Sequence, residues 1–331
     1  MALLNPKTLN LIAKACQRKE HLKLTVGIYQ NGEKSIQVFD ATGEIPNEDF
    51  IYEIGSITKT FTVSLLAKLV SEKKVSLEDS IQKYMMGLNQ DRYYPTLKRL
   101  ATHTAGYHPL LPNGKWFRFK LFKGLMSGKI KEGENHLQMD FNQMVQLIHE
   151  NLLKDKDYPW QYANFGMALV GHAIGAASGS DYWTSMNHFL TEELNLKNTF
   201  TGTDPEKNLH GYSIVTNEDL GNWDWGKNLM APAGDISSTA EDLLEYARIN
   251  LFEEKAYLSL CHQKYTNAKN YDMGLGWLLQ KNHPHLLWHN GGTGGFRSFL
   301  GIDKQRKCAV VVLANYVINT DRIGLGILES L

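Results

Sequence analysis

Tyr52-Glu53-Ile54-Gly55-Ser56-Ile57-Thr58-Lys59-Thr60-Phe61-Thr62-Val63 places a serine three residues ahead of a lysine, at the head of an amphipathic run that continues to Ser71. Helical periodicity puts Ser56 in the first turn and Lys59 on the same face. A serine hydroxyl is a weak nucleophile until a base takes its proton, and a lysine does so only as a neutral amine. Burial lowers a lysine's pKa towards that state. The N-terminal end of the helix adds free N–H groups and a positive dipole end that stabilise an oxyanion. Taken alone the pair is a weak signal, since an N-cap serine followed by a solvated lysine has the same spacing, and Ser71-Glu72-Lys73-Lys74 repeats it.

Upstream, residues 5–20 predict a helix. Leu24–Gln30 and Lys34–Phe39 are rich in β-branched and aromatic residues and are joined at Asn31-Gly32, a strong hairpin signal. Downstream, Ser76-Leu-Glu-Asp79 reads as a capping box that starts a short helix. Residues 86–160 form a mixed stretch with scattered aromatic and basic residues, including Trp116-Phe-Arg-Phe-Lys-Leu-Phe122; the segment reads as an insertion or lid, or as a packed loop with snorkelling lysines. Helices are expected over 165–178 and 181–194, and a third, capped by Thr239-Ala-Glu-Asp242, to about Asn250. Trp277–Gln280, Leu286–His289, Phe296–Asp303 and Cys308–Asn315 read as closing strands, with a helix from about Asp321.

Strands at both ends around a helical middle predict an α/β protein of the α+β type: a mostly antiparallel sheet flanked by helices, with an inserted all-helical domain. The expected division is a sheet sub-domain of residues 1–85 plus 265–331 and a mainly helical one of residues 86–264.

The 331 residues carry 35 Lys plus Arg against 35 Asp plus Glu. Zero net charge and the absence of a basic stripe argue against a nucleic-acid partner. No apolar run of transmembrane length occurs, and Pro6, Lys7 and Lys14 interrupt any signal-peptide core. As it stands the chain is expected to be soluble and cytoplasmic, or periplasmic or extracellular if a signal peptide has been removed. Cys16, Cys261 and Cys308 are too far apart for a metal pair or a disulfide framework.

Two further pieces complete a constellation. Tyr162-Ala163-Asn164 precedes the 165–178 helix; its phenol suits proton exchange with Lys59 or a leaving group, and its amide suits a substrate carbonyl. Trp288-His289-Asn290-Gly291-Gly292-Thr293-Gly294-Gly295-Phe296 ends a predicted strand, where glycines admit a ligand close to the backbone and N–H groups face it.

Ser-x-x-Lys, Tyr-x-Asn and His-x-Gly, in this order and at these separations, resemble the class C β-lactamase and penicillin-binding-protein family of serine hydrolases. Related class A enzymes carry Ser-x-x-Lys, Ser-Asp-Asn and Lys-Thr-Gly. Arg99-Leu-Ala-Thr-His-Thr-Ala-Gly106 and Ala231-Pro-Ala-Gly-Asp-Ile-Ser-Ser-Thr-Ala-Glu-Asp-Leu243 are also family-like, so the similarity spans about residues 24–317.

The resemblance implies that Ser56 is the acylated nucleophile and Lys59 its partner in proton transfer. It makes Tyr162 the general base in acylation and the activator of water or another acceptor in deacylation. Asn164 would bind the amide or ester side of the substrate. His289, Asn290 and Gly291 would stand for Lys-Thr-Gly, and the backbone N–H groups of Ser56 and Gly292 would form the oxyanion hole. His103 and Asp235 are assigned structural roles. No metal or organic cofactor is implied. Where class C β-lactamases place a carboxylate-binding Lys, this chain has His289, a form commoner among DD-peptidases, D-aminopeptidases and esterases of the fold. The expected partner is a small-molecule or peptide substrate: a D-amino-acid peptide, a β-lactam or an ester.

Two other readings are weaker. A zinc site from His283-Pro-His285 and His289 lacks a carboxylate or cysteine at ligand spacing, and Gly291–Gly295 lacks the Gly-Lys-Ser/Thr ending of a phosphate loop. A non-catalytic binding or regulatory module is disfavoured because Ser56, Lys59 and Tyr162 are all present.

Overall fold

Leu24–Gln30 (β1) and Glu33–Asp40 (β2) turn on Asn31-Gly32, where both residues take positive φ, 54° and 84°. That is the backbone a two-residue hairpin needs. It fixes Gln30 opposite Glu33. The computed structural model containing this hairpin describes residues 4–109, 111 and 135–331. Within the 86–160 segment, read as an insertion or lid, residues 110 and 112–134, the run Trp116–Phe122 among them, lie outside the described residues.

Gly43–Ile45 (β3) extends the hairpin on one side. On the other, β1 pairs antiparallel with the strand Cys308–Ala314, Leu24 opposite Ala314. Between these ends the chain forms short strands at Tyr52–Glu53 (β4), Phe200–Thr201 (β5), Gly211–Tyr212 (β6), Asp219–Gly221 (β7) and Ile236–Ser238 (β8). The main sheet resumes with Thr266–Asn267 (β9), Tyr271–Met273 (β10), Leu278–Gln280 (β11), His283–Gly292 (β12), Arg297–Asp303 (β13) and Cys308–Ala314 (β14). Its order is β3-β2-β1-β14-β13-β12-β11-β10-β9, antiparallel throughout.

Both faces of this sheet are covered, and β14 shows how. Ala309, Val311 and Leu313 point into one apolar cluster, and Cys308, Val310, Val312 and Ala314 into another, all of them buried. A central strand with both faces buried reads as a continuous apolar run, as Cys308-Ala-Val-Val-Val-Leu does. On one face lie Pro6–Cys16 (α1), whose Asn5 cap accepts from Thr8 N, and a C-terminal helix Thr320–Ser330. On the other lie Thr58–Ser71 (α2) and a helix over Ala240–Leu251, which packs on β1, β13 and β14. Gly27 makes that packing close, since a Cβ there would lie 2.8 Å from Leu244.

Leu97–Ala101 (α3), Phe141–Glu150 (α4), Asn164–Ala177 (α5) and Tyr182–His188 (α6) gather beyond α2; Ala240–Leu251 is α7 and Thr320–Ser330 is α8. The protein is thus a mixed α/β fold with an antiparallel sheet flanked by helices. Residues 86–264 supply most of those helices, and also β5, β6, β7 and β8.

Local differences from the sequence reading have physical causes. The α2 run looks amphipathic, yet Thr58 through Ala67 are all buried. Its hydroxyls are satisfied within the helix turn or by neighbouring chain: Thr60 Oγ1 donates to Ile57 O, Ser64 Oγ to Thr60 O and Thr62 Oγ1 to Pro232 O. Ser76 and Asp79 do bond, Ser76 N to Asp79 Oδ2 at 2.8 Å, but they close a turn; the following 3₁₀ helix, Ile81–Tyr84, takes its cap from Ser80. Helix α4 was not anticipated, although Asp140 and Gln143 form a reciprocal capping box at its start.

Candidate active site

Ser56 sits in a 3₁₀ turn, Gly55–Ile57, between β4 and α2. Strand β12 lies directly on this turn. A Cβ on Gly291 would fall 1.9 Å from Ile54 O and 2.9 Å from Ser56 N. Ser298 Oγ on β13 donates to the same Ile54 carbonyl at 2.7 Å. The turn and the His-x-Gly strand therefore meet backbone to backbone because glycine occupies position 291, where any side chain would collide.

One helical turn beyond Ser56, Lys59 is fully buried. Its Nζ donates to Ser56 Oγ at 2.9 Å and to Ala233 O at 2.6 Å. Burial drives its pKa well below the ordinary 10.5, so the amine is held towards its neutral form. Tyr162 OH donates to Ser56 Oγ at 2.7 Å, and the Lys59 nitrogen stands 4.9 Å from the centre of its ring. Burial pushes the Tyr162 phenol upward, so the resting group is the phenol.

Asn164 is the first residue of α5, two residues from Tyr162, and its Oδ1 is buried without a hydrogen-bond partner in the described structure. His289 lies on the face of β12 turned towards Tyr162, the two rings 6.4 Å apart. Its Nδ1 bonds to Asn290 O at 2.6 Å, which makes Nδ1 the protonated nitrogen and leaves Nε2 a bare acceptor. Nε2 is buried and has no partner among the described residues. Burial, then the nearby Lys59, pushes this imidazole down to about 3, so it is neutral.

Ser56, Lys59, Tyr162, His289 and Gly291 are thus brought together, with Gly292 against Gly55 and Asn164 at the edge of the group. Asn290 goes elsewhere: on the opposite face of β12 it donates from Nδ2 to Asp321 Oδ2 on α8 at 2.7 Å. The Ala233 carbonyl was not anticipated as a partner of Lys59; it belongs to the quoted Ala231–Leu243 phrase. His283 and His285 are exposed at the start of β12. Among the described residues, no three His, Cys, Asp or Glu side chains gather as a metal-binding set. None of the described helices is long and apolar enough to cross a membrane.

Two buried carboxyls flank the Ser56 turn. Glu53, three residues before Ser56, accepts from Trp223 N at 2.7 Å, and burial pushes it up to about 7. Asp235, two residues after Ala233, is pushed well above its ordinary value by burial, with Glu53 adding to the effect.

A family model described as Beta-lactamase matches residues 11–327. A curated β-lactamase of Pseudomonas fluorescens is 25% identical, with 90% of each chain covered. Protein flp of Staphylococcus aureus is 23% identical over 87% of this chain, which spans only 55% of that protein's length. Among solved structures, a β-lactamase/D-alanine carboxypeptidase from Pseudomonas syringae superposes with a TM-score of 0.78 over 98% of both chains at 20% identity.

Proposed function

The chain belongs to the beta-lactamase family, and from that premise we propose that it is a serine hydrolase working through an acyl-enzyme on Ser56. One observation carries the reading: Ser56 Oγ is held at once by Lys59 Nζ and Tyr162 OH, and the lysine is buried and driven towards neutrality.

In acylation Ser56 Oγ attacks the carbonyl carbon while its proton passes to the lone pair of neutral Lys59. The carbonyl oxygen becomes an oxyanion, received by the backbone N–H groups of Ser56 and Gly292. When the bond to the leaving group breaks, that group takes the Tyr162 proton, and the Lys59 ammonium restores it. Deacylation repeats the cycle with water or another acceptor. This assigns the first proton to Lys59 and the leaving-group proton to Tyr162, because burial favours a neutral amine and a neutral phenol over a phenolate. Asn164 Oδ1, a buried acceptor with no partner among the described residues, would take an N–H or O–H of the substrate.

The acyl donor is an amide or ester: a D-amino-acid peptide, a β-lactam or a simple ester. The neutral His289 favours an esterase or acyltransferase as a second reading, since it offers no cation to a substrate carboxylate where the resembled enzymes place a lysine.

Intact-protein mass spectrometry after incubation with a penicillin, and separately with p-nitrophenyl butyrate, tests the proposal against Ser56→Ala. A persistent penicillin adduct on wild type alone supports a penicillin-recognising enzyme with slow deacylation. Ester turnover without that adduct supports the esterase reading. Wild type with neither adduct nor turnover, and no labelling by a fluorophosphonate, sinks the catalytic assignment.

A further inference from the structure

The phrase Arg99–Gly106 has no part in the proton transfers above, yet the structure lays it beside Tyr162. Residues 158–161 pair with it: Tyr158 N donates to Thr104 O at 3.0 Å and Gln161 N to His103 O at 2.9 Å. Beyond Tyr162, Ala163 N donates to His103 Nδ1 at 3.3 Å. One residue thus holds the peptide N–H groups immediately before and after Tyr162. The His103 ring stands 4.8 Å from the Tyr162 ring, tilted by 42°, with Trp160 edge-on at 6.2 Å.

His103 is built to make both contacts. Its φ is 59°, in the left-handed region that His and Asn enter more readily than most residues. That backbone turns its carbonyl and its side chain towards the same segment. Because Nδ1 accepts from Ala163, the ring proton is on Nε2. The side chain is 3% exposed, so water does not compete for Nδ1. Gly106, at φ 93°, leaves room for Tyr158: a Cβ there would lie 2.8 Å from that ring.

We propose that His103 is the positioning residue for Tyr162, holding the backbone N–H groups of its two neighbours, Gln161 and Ala163, so that the phenol reaches Ser56. The inference rests on the catalytic reading of Tyr162 given above. Its sharpest consequence concerns substitution. Asn tolerates the left-handed backbone and places Oδ1 near the position of Nδ1, so His103→Asn retains the acceptor for Ala163 N. His103→Ala removes it. His103→Gln carries an acceptor one bond too far out.

The test is the second-order rate of Ser56 acylation by an alkyl ester or amide, whose leaving group must take a proton, followed against pH, in wild type, His103→Asn, His103→Ala, His103→Gln, Tyr162→Phe and the double variant Tyr162→Phe/His103→Ala. Misplacing a proton donor costs about 10- to 100-fold in rate. The expected result is a loss of that size in His103→Ala and His103→Gln, recovery to within about threefold in His103→Asn, and no added loss when His103→Ala is placed on Tyr162→Phe. Circular dichroism on each variant separates misfolding from misplacement. A folded His103→Ala with the wild-type rate and pH profile, beside an impaired Tyr162→Phe, overturns this inference alone. So does a His103→Asn as slow as His103→Ala, or a full additional loss in the double variant. A Tyr162→Phe with the wild-type rate overturns the role of Tyr162 and this inference with it.

Discussion

Gly55 and Gly292 touch through their backbones: a Cβ on Gly55 would lie 2.5 Å from the Gly292 nitrogen, at a φ of 51°. The contact joins the turn that carries Ser56 to the strand end expected to supply the second oxyanion donor. A methyl group at Gly55 collides with main chain that has no rotamer by which to yield, and meets a backbone conformation costly for an L-residue. Gly55→Ala is therefore expected to slow acylation about 100-fold and to destabilise the fold by about 1–3 kcal/mol. Labelling kinetics and chemical denaturation check the two effects; wild-type labelling would separate this contact from catalysis.

Lys59→Arg tests the need for a neutral amine. A guanidinium cannot lose its proton, so the substitution is expected to lower acylation by about 100-fold or more. In wild type the neutral form is the active one, so the rate rises with pH as Lys59 deprotonates. That limb is expected well below the ordinary lysine value of 10.5. The two buried imidazoles, His103 and His289, are held neutral down to about 3 and contribute no limb near 6.5. A labelling-rate profile over pH measures both, and an Arg variant as fast as wild type refutes proton transfer to Lys59.

Among the described residues the buried Asn164 Oδ1 has no hydrogen-bond partner, so its removal breaks no hydrogen bond to them from that oxygen. Asn164→Ala is expected to lower kcat/KM about 3- to 10-fold, the worth of one neutral hydrogen bond to substrate, with little change in Tm. Unchanged turnover on every accepted substrate would remove Asn164 from the binding site.

Glu53 titrates from an ordinary 4.5 up to about 7 in the fold. A carboxyl with a raised folded pKa is harmless when protonated in both states. Its stabilising contribution is complete below 4.5 and is lost as pH rises through 7. The loss is about 3 kcal/mol at 1.36 kcal/mol per pKa unit. Glu53→Gln retains an acceptor for Trp223 N and cannot ionise. Urea denaturation of both proteins across this range should show the wild type losing stability relative to Glu53→Gln as pH rises; parallel curves would refute the shift.

Much of the architecture was legible because its signals are local. Asn31-Gly32 announces a hairpin with its own two residues, and Cys308–Leu313 announces a doubly buried strand by its unbroken apolar run. Ser56, Lys59 and Tyr162 were legible as a group because Ser-x-x-Lys, Tyr-x-Asn and His-x-Gly, each weak alone, fall in a family-like order. What escaped has no such signature. The Ala233 carbonyl, which accepts from Lys59, is main chain and would look the same under many side chains. Asn290 faces α8 because β12 alternates its faces, and one residue of register decides which side chain meets Ser56. The polar letters of α2 suggested a wet face, and only the partners of their hydroxyls reveal a helix buried along nearly its whole length.

The pairing of Leu24 with Ala314 has a consequence for how the molecule comes into being. During synthesis β1 and the Ser56 turn leave the ribosome long before β12, β13 and β14 exist to meet them. Until then the hairpin of β1 and β2 presents an open edge, the kind that recruits strands from other chains. Closing it requires contacts of very long sequence separation, which form slowly. The candidate site is therefore assembled last: a nascent chain that ends before β12 carries Ser56 but neither the full sheet nor the strand that packs on its turn.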